Sequence, residues 1–92
     1  MLTIKYESRM KRQLRLMVKR GKDPSKLVAV LDTLARGQTL PPKNRDHKLS
    51  GVLRSCRECH IEPDWLLVYK VIREELILVA ISTGTHADLF GL

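Results

Sequence analysis

The sequence predicts an α+β domain in which two helices lie on one face of an antiparallel sheet, in the order β-α-α-β-β-β. Three observations carry this reading. Apolar residues switch from a period of two to a helical period near residue 7, and return to strand-like runs after residue 50. Proline and glycine stand where helix caps belong. The last three apolar runs are joined by short links, which suit antiparallel neighbours and not parallel ones.

Residues 2–6 alternate, with Leu2, Ile4 and Tyr6 set against Thr3 and Lys5, and predict a first strand. Over residues 7–20, Met10, Leu14, Met17 and Val18 share one arc of a helix, and basic side chains fill most of the rest. Leu16 falls on the basic side and calls for a covering partner. Gly21 ends this helix. Asp23 and Pro24 then read as N-cap and first residue of a second helix, since proline lacks the N–H that this position leaves unused. Leu27, Leu31 and Leu34 form its apolar stripe, helped by Val28 and Val30, and Gly37 stops it. Residues 38–50 are polar, contain Pro41-Pro42, and predict an irregular loop. Strands are expected over 53–61, 65–71 and 75–82, turned by Glu62-Pro63-Asp64 and by Arg73-Glu74. The tail, 83–92, opens on a glycine turn and closes with about one helical turn.

A chain of 92 residues supports one domain, 1–92, and no more. Its longest apolar run, Leu76 to Ile81, is far short of the roughly 20 residues that cross a membrane. The opening MLTIKYESRMKRQL has no apolar core of a signal peptide, which predicts a cytoplasmic protein with reduced cysteines. Only four residues are aromatic (Tyr6, Trp65, Tyr69 and Phe90), few for a protein that grips single strands mainly by stacking.

The formal charge is +7, and it is unevenly placed. Residues 1–26 carry nine basic side chains against Glu7 and Asp23, a surplus of +7; residues 27–60 carry +3 and residues 61–92 carry −3. So basic a segment is drawn to polyanions by counterion release.

Cys56-Arg57-Glu58-Cys59-His60 matches the attachment signature of c-type haem. No export signal precedes it. Within a strand, an odd separation also points the two cysteines to opposite faces, which defeats haem, a redox pair and a zinc knuckle alike. Both read as structural thiols. The three histidines, His47, His60 and His86, all lie in the second half of the chain, and Asp64 follows His60 across the tight turn. The strand order brings this set towards one rim of the sheet. Histidine, with an unperturbed pKa of about 6.5, suits proton transfer there. Arg45, Lys48, Arg54 and Arg57 would supply cations for a phosphate. From composition alone, surface histidines without a catalytic role fit better, since a loop histidine is more often a surface residue than a catalyst.

RDHKLSG at 45–51, RECHIEPDWLLVYK at 57–70 and TGTHADLF at 83–90 closely resemble the YafQ branch of the RelE/ParE toxin superfamily. Three motifs in the right order, with matching element order, extend the resemblance over essentially the whole chain. It implies a RelE-like, microbial-RNase-type fold and a toxin of a bacterial type II toxin–antitoxin system. Such toxins cut translated mRNA on the ribosome, with neither metal nor cofactor. The resemblance maps His47, His60, Asp64 and His86 onto catalytic positions, and Trp65 and Phe90 onto positions that shape the site or touch RNA. A base stacked on Phe90 would be worth about 1–3 kcal/mol. It also gives the basic first helix, with Arg9, Arg12, Arg15, Lys19 and Arg20, two partners: ribosomal RNA and an acidic antitoxin encoded nearby. Operator DNA is expected only for the toxin–antitoxin complex. One departure matters. Members commonly carry an arginine two residues before the glycine of the tail motif, where this chain has Ser82. Arg45, Arg54 or Arg57 must then supply the charge, or cleavage is weak. The same scaffold also serves ParE-like inhibitors of DNA gyrase, which need no histidine set.

Overall fold

A computed structural model describes residues 1–91. Five strands form one sheet in the order β1-β5-β4-β3-β2: β1 (Thr3–Tyr6), β2 (His47–Lys48), β3 (Arg57–Glu62), β4 (Trp65–Ile72) and β5 (Ile77–Gly84). Helices α1 (Ser8–Lys19) and α2 (Pro24–Ala35) pack on one face, and α3 (His86–Phe90) follows β5. The α+β class holds, and the predicted element order holds with one addition: residues 38–50, expected to be an irregular loop, contain the two-residue strand β2. The edge pair departs from the expectation, because β1 joins β5 in parallel while the other pairs are antiparallel. The chain leaves β1 through two helices, and that long crossover permits a parallel partner.

The limits of α2 and the end of α1 at Gly21 fall at the residues foreseen, while α1 starts after Glu7 without a side-chain cap. Asp23 caps α2 by accepting from the Ser25 backbone N–H at 3.0 Å, Pro24 opens the helix, and Gly37, at φ 74°, follows it in the left-handed region. Met10 and Met17 of α1 and Leu27, Leu31 and Ala35 of α2 are buried against Cys59, Trp65, Leu67, Tyr69, Leu78 and Ala80 of the sheet. Val18, assigned to the buried stripe by period, is instead 43% exposed.

Strand alternation sends Glu58, His60, Leu66 and Val68 to the opposite face. All four are buried, yet none belongs to the helix-side core. Two bulges adjust this alternation. Ile61 is the extra residue between the His60–Leu66 and Glu62–Trp65 pairs, so Glu62 returns to the helix side. There it accepts from Lys22 Nζ at 2.6 Å and Lys26 Nζ at 2.8 Å. Ile81 is the extra residue on β5, and it turns Ser82 to the Val68 side and Thr83 to the core.

The strand predicted over 53–61 begins only at Arg57. Residues Gly51–Leu53 form a 3-10 turn, with Gly51 at φ 69° and the Leu53 carbonyl accepting from Cys56 N–H at 2.8 Å. Cys56 therefore precedes the strand, while Cys59 sits in the helix-side core, where burial pushes its thiol up to about 12.

Exposed ion pairs tie α1 and α2 to the rest of the fold. Arg20 holds Asp88 of α3 at 2.5 and 3.1 Å, and Lys22 with Lys26 holds Glu62. The arginine and the Thr85 backbone hold the Asp88 carboxyl below the usual range, as the two lysines hold Glu62. A carboxyl depressed in the folded state adds stability above about pH 4 that is lost as pH falls through its folded value. The melting temperature should thus hold between pH 7 and 5 and fall below 4. Asp88→Asn should lose less than the wild type over that lower range; equal losses would show that the pair contributes nothing.

Candidate active site

The histidine rim is assembled from β2, β3, the turn after β3 and the first residue of α3. Asn44, buried in the loop, donates from Nδ2 to the His60 carbonyl at 2.7 Å and so pins the loop that carries His47 to β3. His47 then pairs with Glu58 across β2 and β3. His60 lies on β3 before the bulge, and His86 opens α3. Thr85 and Asp88 form a reciprocal cap at that helix, each side chain accepting from the other's backbone N–H.

Each imidazole has one nitrogen committed. His47 Nδ1 is 2.7 Å from the Arg45 carbonyl and His60 Nδ1 is 3.2 Å from the Pro63 carbonyl. A carbonyl only accepts, so both Nδ1 atoms carry the proton. His86 Nδ1 meets Asp64 Oδ1 at 2.5 Å, and the same oxygen accepts the His86 backbone N–H at 2.9 Å. These two bonds hold the Asp64 carboxyl below its usual range. Every Nε2 is thereby left as the nitrogen that exchanges a proton. The His60 and His86 rings stand with centroids 5.5 Å apart.

Glu58, which the sequence reading left out, joins the other two histidines. Its Oε1 is 3.5 Å from His47 Nε2 and 3.9 Å from His60 Nε2, and its side chain is buried. Either ring, once protonated, finds a carboxylate to pair with. Its signal lay in the sequence: two residues before His60 on one strand, Glu58 had to share its face.

All four predicted catalytic residues converge, but several predicted helpers do not. Arg57 lies on the helix side, with Nε 3.3 Å from Asp46 Oδ1, an oxygen that also accepts from Tyr69 Oη at 2.5 Å. Lys48 pairs with Arg57 in the sheet register and so faces away from His47. Arg54 lies in the 51–56 turn rather than on a strand, and Arg45 is exposed in the left-handed region at φ 47°. Trp65 is fully buried in the helix-side core, where its Nε1–H donates to Thr83 Oγ1 at 2.9 Å; it supports the sheet from behind and cannot stack on RNA. Phe90 is 42% exposed. Of the basic set on α1, Arg20 is spent on Asp88, Arg15 and Lys19 stay exposed beside Leu16, and Arg9 and Arg12 line a cleft with Phe90 and Ser82.

Gly84 fixes the approach of α3. A Cβ there would lie 2.9 Å from Asp88 Cβ. Gly84→Ala should push α3, and His86 with it, by tenths of an ångström. A displacement near 1 Å costs about 10²-fold in well-oriented reactions, so a shift of tenths of an ångström should slow the reaction by about two- to fivefold. Any assay of the proposed reaction that finds full activity in this variant would refute the tight coupling.

A family described as "Bacterial toxin of type II toxin-antitoxin system, YafQ" matches residues 2–91. The chain is 38% identical over 89 residues to the mRNA interferase toxin YafQ of Escherichia coli K12, covering 96% of this chain and 95% of that one. A metal-bound toxin from Helicobacter pylori superimposes with a TM-score of 0.92 at 42% identity, covering 98% of this chain and all of the other. The toxin in the E. coli DinJ–YafQ complex superimposes with a TM-score of 0.88 at 36% identity, covering 99% and 100%. Among the described residues here, no three histidine, cysteine or carboxylate side chains converge to hold a metal ion. No helix among them is long and apolar enough to cross a membrane.

Proposed function

The chain belongs to the YafQ family of type II toxins, and from that premise we propose that it is a ribosome-dependent mRNA interferase whose histidines and Asp64 cut RNA by transesterification. The observation that carries this reading is the commitment of all three Nδ1 protons, which leaves each Nε2 as the exchangeable nitrogen at one rim, two of them beside Glu58. His86 takes the proton of the ribose 2′-OH on Nε2, and Asp64 stabilises the imidazolium that forms. The 2′ oxygen bonds to the adjacent phosphorus as the bond to the 5′ oxygen breaks. His60, protonated and beside Glu58, gives its Nε2 proton to that departing oxygen. A 2′,3′-cyclic phosphate and a 5′-OH remain, with charge balanced throughout. His47, in its protonated form, stands as the cation for the non-bridging oxygens. No step runs through a metal. By analogy with the E. coli complex, an acidic antitoxin covers the basic face of α1, where Leu16 is 45% exposed.

Expression should arrest growth, with primer extension placing breaks inside translated codons and none in the same message when its start codon is removed. Arrest with intact messages would sink this reading. Inhibition of gyrase supercoiling by the purified protein would instead favour the non-catalytic ParE-like alternative.

A further inference from the structure

A second basic feature borders the histidine rim. Arg9, Arg12 and Gln13 of α1, with Val68, Ser82 and Phe90, line a cleft of about 280 Å³. Its place in the fold follows from the register. His47 pairs with Glu58, Glu58 with Val68, and Val68 with Ser82, so one row of side chains runs across four strands from the histidines to the cleft. Adjacent strands lie about 4.8 Å apart, which puts Ser82 roughly 10 Å from Glu58. The cleft thus opens on the histidine face of the sheet, two strands away from Glu58.

The chemistry of the cleft suits a strand of RNA. Among the described residues, neither Arg9 nor Arg12 has a hydrogen-bond or ion-pair partner. Asp88 is the only carboxylate among the described residues that lines the cleft, and Arg20 already neutralises it. Phe90 offers a half-exposed ring beside the two guanidinium groups, the pairing of stacking surface and cation that single strands use. The arginines are also held in place. Met10 and Met17 bury the opposite side of α1, and Gln13 Oε1 accepts the Thr83 backbone N–H at 3.0 Å. Lysine-rich docking surfaces need no such anchoring, whereas a bidentate phosphate clamp does.

We infer that this cleft is a substrate subsite, in which Arg9 and Arg12 bind the phosphodiester next to the one cut and Phe90 stacks on its base. This rests on the nuclease reading, and it moves the two arginines from the docking surface to the substrate. It also supplies, from α1, cations beside Ser82 that Arg57 and Lys48 cannot provide.

The test uses a 2′-O-methyl RNA hexamer, which cannot be cut, and titrates its binding to the full chain at several salt concentrations. Arg9→Gln and Arg12→Gln should each weaken binding several-fold. Losing the whole phosphate contact, in the double variant, should lower the slope of log affinity against log salt by about 0.7, and each single variant should lower it by less. Lys5→Ala, an equal loss of charge from the exposed face of β1, should change neither. A single neutral methylphosphonate should weaken the wild type at one position and leave the double glutamine variant unaffected there. Equal losses in the Lys5 variant, or a methylphosphonate effect independent of position, would overturn the subsite. So would a slope unchanged in both arginine variants. Binding is read without cleavage, so failure of the nuclease reading would appear separately, as a wild type that binds the hexamer and cuts no message.

Discussion

His86→Ala should slow message cleavage by about 10²- to 10⁴-fold, the usual contribution of one general acid or base, and should relieve growth arrest. The side chain is about two-fifths exposed and, among the described residues, its only polar partner is Asp64, so the circular dichroism spectrum and melting temperature should change little. His60→Gln should slow cleavage comparably, although that side chain is buried, because glutamine keeps a donor for the Pro63 carbonyl. The two variants are separable by the leaving group. A substrate with sulfur at the 5′ bridging position expels a thiolate that needs no proton. It should restore cleavage to His60→Gln and not to His86→Ala if His60 is the acid. Rescue of His86→Ala alone would exchange the two roles, and cleavage by His86→Ala within threefold of the wild type would remove His86 from the mechanism.

The exchangeable nitrogens of this site follow from backbone contacts that no sequence displays. Asp64 was legible as a partner of the histidines because the link after His60 is tight. Proximity in sequence points it to His60, but the bulge at Ile61 gives His60 the Pro63 carbonyl, and Asp64 holds His86. Glu58 was overlooked for a related reason. A glutamate in a half-buried strand ordinarily points to solvent, and only the pairing with His47 shows that its face is the covered one.

The helices were the most legible part of the fold, because their stops are chemical: Asp23, Pro24 and Gly37 act locally and need no tertiary knowledge. Strand faces are set by register, and register is not local. Arg57 and Lys48 were grouped with the histidines by proximity in sequence. The pairing of Lys48 with Arg57 places both on the far side, one residue out of phase with His47 and Glu58. The start of β3 was misplaced for a third reason. Leu53 to Cys59 reads as a strand by composition, but the left-handed Gly51 starts a turn that consumes residues through Cys56. Arg9 and Arg12 show the same limit from the other direction, since helical period gives their azimuth on α1 but not what α1 lies beside.

Trp65→Ala should be the most destabilising single change, costing about 3–5 kcal/mol. Trp65 is among the largest fully buried side chains, and it lies opposite the site, packed between the sheet and the helices. Alanine would leave a cavity under β4 and take the indole donor from Thr83, whose hydroxyl keeps its bond to the Leu66 carbonyl at 2.6 Å. For a domain of this size each kcal/mol lowers the melting temperature by roughly 4–8 °C, so a fall of the order of 15 °C or more is expected. Trp65→Phe removes the N–H and part of the ring, leaves a smaller cavity, and should cost about 1–3 kcal/mol. The two variants discriminate between a structural and an RNA-contacting tryptophan. Buried behind the sheet, Trp65 acts on cleavage only through the fraction of folded protein. Trp65→Phe should therefore cut at close to the wild-type rate at 25 °C, and the loss in Trp65→Ala should track its unfolded fraction across temperature. A Trp65→Phe protein that melts near the wild type yet has lost cleavage would mean that the indole reaches the substrate, against its placement in the core.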